Sequence, residues 1–131
     1  MGLRRITGNN KGVSSIEFAL VLPFLLLILF GILEYGWIMT TQIVLTNAVS
    51  NGARAGIKAA ETEEEADARA ATIDAFWINT LAADDITVTI PESPRRIDVE
   101  VPGWTYSSLT GFLPSAMIPG SLKAKSIMVF P

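Results

Sequence analysis

Lys11–Trp37 reads KGVSSIEFALVLPFLLLILFGILEYGW, and the fold is decided there. Within it, the sixteen residues Phe18–Leu33 contain no charged or strongly polar side chain. Glu17 stands at the near edge of that run and Glu34 closes it. The run is too long for a typical signal-peptide core and slightly short for a full span. Extended back to Val13 and forward to Met39 it holds 27 residues. At about 1.5 Å per residue that is roughly 40 Å of helix, enough to cross a hydrocarbon core with tilt. Tyr35 and Trp37 fall where an interfacial aromatic belt sits. Pro23 removes one backbone donor inside the helix and predicts a bend.

The rest of the composition agrees with one membrane segment and one small domain. The chain has 131 residues, half of them hydrophobic, with a mean hydropathy of +0.40. It has no histidine and no cysteine, so a disulfide framework or a Cys/His metal site cannot be built and no cofactor is expected. The charge is split. Arg4, Arg5 and Lys11 give residues 1–12 a charge of +3, whereas residues 13–131 carry seven bases and all thirteen acids, −6. A basic head before an apolar run predicts an N-terminus inside and a body outside. An acidic body argues against nucleic acid as a partner.

Four segments are expected. Residues 1–12 are a short basic leader without stable structure. Residues 13–39 form the transmembrane helix and 40–60 its amphipathic continuation, with Ile43, Val44 or Ala48, Leu45, Val49 and Ala53 at helical spacing. The small residues Ala48, Ser50, Gly52, Ala53, Ala55 and Gly56 would let another helix approach closely. Residues 61–131 form a small α+β head. Its acidic start, ETEEEAD (Glu61–Asp67), suits the first turn of a second helix, with Ala66, Ala70, Ile73, Trp77 and Leu81 on one apolar stripe. Ile86–Ile90, Ile97–Val101 and Ser121–Phe130 alternate as strands. The Gly- and Pro-punctuated stretch 102–120 between the last two reads as a long loop with a short helical piece. The fold class is therefore α+β: a long helix, membrane-spanning in its first half, then one further helix and about three antiparallel strands.

No catalytic constellation stands out. Asp84-Asp85 is a paired carboxylate, but adjacent acids point apart and no His, Cys or Lys accompanies them, so a turn role is expected. ETEEEAD matches no calcium loop and reads as a solvated helix start. Trp77, Trp104 and Tyr106 are expected in the core. The chain is expected not to be an enzyme.

Glu17 has two readings. It stays wet in the headgroup zone, or it pairs. A cut after Gly12 would free an amino group on Val13 and make Glu17 the fifth residue, on the same helical face. The ammonium and carboxylate could then neutralise each other, within one chain or between neighbours. Glu34 either ends the span at the interface or makes a second contact. Arg54 either faces an acidic partner or is solvated.

Gly12, four residues, Glu17-Phe18 and an apolar run with Pro23 resemble the start of a type IV-like prepilin. Together with Ala19, Gly31, Glu34, Gly36 and the distal Leu45, Asn47, Ala48, Gly52, Ala53 and Arg54, the pattern resembles the TadE-like minor pilins of the tight-adherence (Tad/Flp) pilus. The resemblance covers about residues 12–56. It implies a bacterial inner-membrane protein with a cytoplasmic N-terminus and an extracytoplasmic head, cut by prepilin peptidase at Gly12/Val13. It also implies other pilin subunits and the Tad assembly platform as partners, and a place on the pilus or cell surface after assembly. Glu17 would pair between subunits, and Phe18, Pro23, Gly31, Glu34 and Gly36 would shape and pack the helix. Val13 departs from the smaller residue common after such a cut. The rival expectations are a pseudopilin of a type II secretion or DNA-uptake machine, and an uncut single-pass accessory protein.

Overall fold

The computed structural model describes residues 10–59 and 63–131, with side chains from Gly12 onward. The leader expected over residues 1–12 therefore lies largely outside the described residues, as do Glu61 and Thr62 of the acidic start. The described chain is α+β. A single helix, α1 (Asn10–Lys58), runs for 49 residues without interruption, with Pro23 inside it. It is followed by α2 (Glu64–Ala75) and a three-stranded antiparallel sheet, β1 (Thr87–Thr89), β2 (Arg96–Thr105) and β3 (Ser121–Val129). The sheet order is β1-β2-β3, a simple meander.

The two halves of α1 have opposite surroundings. From Gly12 to Leu33 nearly every side chain is exposed, the apolar ones included. Among the described residues it is the one helix long and apolar enough to cross a membrane. From Glu34 onward the helix becomes the spine of the head. Leu45, Ala48, Val49 and Ala53 are fully buried against α2 and the sheet. Ile43, expected on this stripe, is exposed instead, because the buried face runs through Thr41, Leu45, Ala48-Val49 and Gly52-Ala53 at spacings of three and four.

The second helix buries a different face from the expected one. Of the expected stripe, Ala66, Ala70, Ile73 and Trp77 are exposed, Trp77 at 73 %, and Leu81 alone is buried, while Glu64, Ala68, Thr72 and Phe76 are also buried. The reason lies on α1. A Cβ placed on Gly52 would meet the Ala68 carbonyl oxygen at 2.7 Å and collide with the Thr72 hydroxyl, and one on Gly56 would come within 3.0 Å of the Glu64 carbonyl oxygen. The two helix backbones lie so close that only small side chains fit between them, and Ile73, the one large apolar residue of α2, turns outward. The helix also stops at Ala75, and Trp77 lies beyond it. Trp104 and Tyr106 are buried as expected, and Phe76 meets Trp104 edge-on with ring centroids 5.2 Å apart.

The sheet follows the alternation read from the sequence. Ile97, Val99 and Val101 face the core, paired with Met128, Ser126 and Ala124 on β3. The opposite face carries Glu100 and Lys125, 3.1 Å apart and directly opposite in register. β2 does not end at Val101. It continues through Pro102-Gly103 to Thr105, and the pairing advances from Val101↔Ala124 to Trp104↔Leu122, one extra residue on β2. This is a β-bulge, which accommodates a proline that cannot donate to the ladder. The loop is therefore shorter than 102–120, although a 3-10 turn at Ser115–Met117 supplies its short helical piece.

Candidate functional site

Glu34 is the one polar side chain of the apolar half-helix and its exit that the head encloses. Its exposure is 0 %. The residue follows Leu33 in an unbroken helix, so the helical turn alone aims it at the segment leaving β2. There its carboxylate accepts four hydrogen bonds. Oε1 accepts from the Tyr106 hydroxyl at 2.8 Å and from the Leu109 amide at 3.0 Å. Oε2 accepts from the Thr110 amide at 3.0 Å and the Thr110 hydroxyl at 2.7 Å. Every donor is neutral, two of them backbone N–H groups of consecutive residues. A buried carboxylate is tolerated when its lone pairs are filled in this way.

The site is reinforced on both sides. The Tyr35 hydroxyl donates to the Met117 carbonyl at 3.1 Å. Phe30, one turn before Glu34, meets Phe112 with ring centroids 5.0 Å apart. Within the loop the Gly111 amide donates to Ser108 Oγ at 2.9 Å, and Gly111 takes a φ of +64°, a left-handed conformation that a side chain disfavours. The Tyr106 amide donates to the Gly120 carbonyl at 3.4 Å and closes the neck. Three residues within about a turn and a half of the helix, Phe30, Glu34 and Tyr35, thus clamp one loop, residues 107–120. The Tyr106 phenol is pushed up from its ordinary value near 10 by burial, by its hydrogen bond to Glu34 and by the charge on that carboxylate.

Glu34 therefore does not stand as an open carboxylate at the helix exit. Its lone pairs are taken up by its own head. Arg54 lies twenty residues further along the same helix, about 30 Å away, and is exposed without an ion pair among the described residues. The other expected residues separate into two groups. Gly52 is buried against α2, as a helix-packing residue. Gly12, Val13, Glu17, Phe18, Pro23, Gly36, Asn47 and Arg54 are exposed. Gly12, Gly31 and Gly36 have nothing within 4 Å of a Cβ position, and Glu17 has no ion-pair partner among the described residues. Of the helix-shaping residues, Glu34 alone is buried among the described residues, while Phe18, Pro23 and Gly36 are exposed.

The acidic helix start also differs from a fully solvated one. Glu64 is buried and pairs with Arg95 at 2.7 Å, while Arg95 lies over the Phe130 ring at 4.6 Å. Asp84-Asp85 is a turn, as expected, with Asp85 Oδ2 accepting from the Ala82 amide at 3.1 Å.

Sequence reading missed Tyr106, Leu109, Thr110 and Phe112 as partners of the helix. One signal was present. From Val101 to Leu122 the chain carries no charge, an unusual stretch in an acidic head. An acid closing an apolar run needs neutral donors, and this stretch holds them.

No curated protein and no solved structure matches the chain. One family model does, over residues 12–54, and it is described as TadE-like protein. The match begins at Gly12, covers Glu17, the apolar half of α1 and Glu34, and ends at Arg54 on the helix surface. Over this N-terminal segment, about a third of its length, the chain is similar to that family.

Proposed function

We propose that this chain is a minor, pilin-like structural subunit of a Tad-type pilus, without catalytic activity. In this reading residues 13–39 hold it in the inner membrane, with the basic leader inside and the head outside. Prepilin peptidase removes residues 1–12, and the freed helix then packs among other pilin subunits. The observation that carries the reading is the exposed half-helix itself. Phe18, Leu20, Phe24, Leu29 and Ile32 are all largely exposed, on a helix whose family match begins at the proposed cut. Such a surface needs lipid or other apolar helices around it. Glu17, which has no ion-pair partner among the described residues, would pair with the amino group of Val13 on the same or a neighbouring subunit.

The test is the intact mass of the protein extracted from membranes of its native host. A loss matching residues 1–12 is expected. The full-length mass would leave an uncut single-pass protein, and a cut beyond Leu33 would mean an ordinary secreted one. A second expectation is that Glu17→Ala leaves membrane insertion intact but impairs pilus assembly, scored by surface pilus counts. Normal piliation in that variant would remove the pairing role.

A further inference from the structure

We infer that the 107–120 loop is a second membrane contact, a collar around the exit of α1 that enters the interfacial layer of the bilayer. The inference rests on the membrane-anchor reading above and adds to it a surface in the head. Its geometry follows from three ties. Phe30 belongs to the uncharged run Phe18–Leu33, and Phe112 stacks against it at 5.0 Å. Glu34, about 6 Å further along the axis, holds the amides of Leu109 and Thr110. Tyr35 holds the carbonyl of Met117. The loop is thus fixed at the height of Phe30–Tyr35. Residues 13–33 make about 31 Å of helix, close to one hydrocarbon thickness. A bilayer that covers this length covers Phe30, and Phe112 lies at the same depth.

The loop is built for that depth. It has no charged residue, and Leu109, Phe112 and Met117 are each more than half exposed. Exposed large apolar side chains grouped on one loop are unusual on a surface that faces only water. The one ionised group at this level, Glu34, is enclosed, so the collar presents no charge to lipid. Charge begins again only at Glu100 and Lys123, on the sheet above. An apolar patch continuous with the anchor's own lipid-facing surface has the bilayer as its neighbour.

The native chain lacks cysteine, so single-cysteine spin labels can be placed without background. Leu109→Cys, Phe112→Cys and Met117→Cys would be labelled in the full chain in phospholipid nanodiscs. Leu25→Cys serves as the anchor control and Trp77→Cys as a control in the head. The expected result is that labels at 109, 112 and 117 collide with oxygen several-fold more than with a water-soluble nickel chelate, as at 25, while 77 shows the reverse. Loop labels that report water while 25 reports lipid would overturn the collar. Loop labels that report water in nanodiscs and become shielded only in assembled pili would assign the patch to a protein neighbour and overturn it equally. A label at 25 that reports water would instead overturn the membrane anchor itself. Because a substitution at Phe112 could loosen the loop, the unsubstituted protein would also be photolysed in diazirine-bearing lipids. Cross-links mapping to 109–117 are expected, and their absence beside cross-links in 13–33 overturns the collar.

Discussion

At the scale of the residue, Glu34 joins two segments far apart in sequence. Tyr106, one of its partners, lies 72 positions away. A hydrogen bond to a buried charged acceptor contributes about 1.5–3 kcal/mol. Glu34→Gln keeps the shape but turns an amide NH2 toward two of the four donors. The expected loss is about 3 kcal/mol of local loop stability. Hydrogen exchange at the Leu109 and Thr110 amides should then rise about a hundredfold. Unchanged exchange there would mean that the loop holds itself. Tyr106 gives the pH dependence. Its phenol is raised above its ordinary value near 10 in the folded head. Between that value and the raised one the unfolded chain releases the proton and the folded chain keeps it, so the folded state binds more protons. Stability that is fully present below about pH 10 is therefore lost as pH climbs through this window. Tyr106→Phe should lower stability at neutral pH by roughly 1.5–3 kcal/mol and flatten that alkaline slope. Denaturant midpoints measured across pH 9–12 check both. An unchanged slope in the variant would place the alkaline sensitivity elsewhere.

At the scale of the element, α1 serves as both anchor and spine, and its glycines divide accordingly. Gly31 and Gly36 have open space where a Cβ would stand, while Gly52 lies against the backbone of α2. Gly31→Ala should leave the melting temperature of the head unchanged. Gly52→Ala should separate α1 from α2 and cost about 1–3 kcal/mol, read as a lower melting temperature. Equal melting of the two variants would mean that the helix contact is not tight. The same contact explains what the sequence showed and what it hid. The long helix was legible because an uncharged run needs no partner to be recognised. The inward alternation of Ile97, Val99 and Val101 was legible because a strand with one buried face has a period of two. The buried face of α2 was not, since larger apolar residues normally mark the inside and here Ala68 and Thr72 take it. The length of β2 was hidden by Pro102-Gly103, which usually ends a strand and here sits in a bulge. The clamp on Glu34 was hidden because no local pattern joins a helix exit to a loop seventy residues away.

At the scale of the whole molecule, the two halves of α1 should respond differently when the head unfolds. Residues 34–58 are helical in company with α2 and the sheet, through Leu45, Val49 and Ala53. Most of a protein helix's stability comes from such packing, and with Gly36, Gly52, Gly56 and many β-branched residues this stretch is marginal in water without it. Residues 13–33, in a bilayer, keep their helix for another reason: each backbone N–H and C=O there has no water to bond and must stay paired within the helix. Denaturing the head in nanodiscs should therefore divide the continuous helix near Glu34. Amides of 34–58 should exchange together with those of the sheet, in one cooperative step, while amides of 13–33 stay protected. Far-UV circular dichroism should retain the signal of roughly twenty helical residues after the sheet has melted. The outcome is specific to a spine shared with the head. If 34–58 remained protected after the sheet opened, the second half of α1 would be independently stable, and Glu34 would mark a loop attachment rather than the boundary between anchor and head. If 13–33 exchanged along with the rest, the bilayer would not be holding that half, and the anchor reading would fail with it.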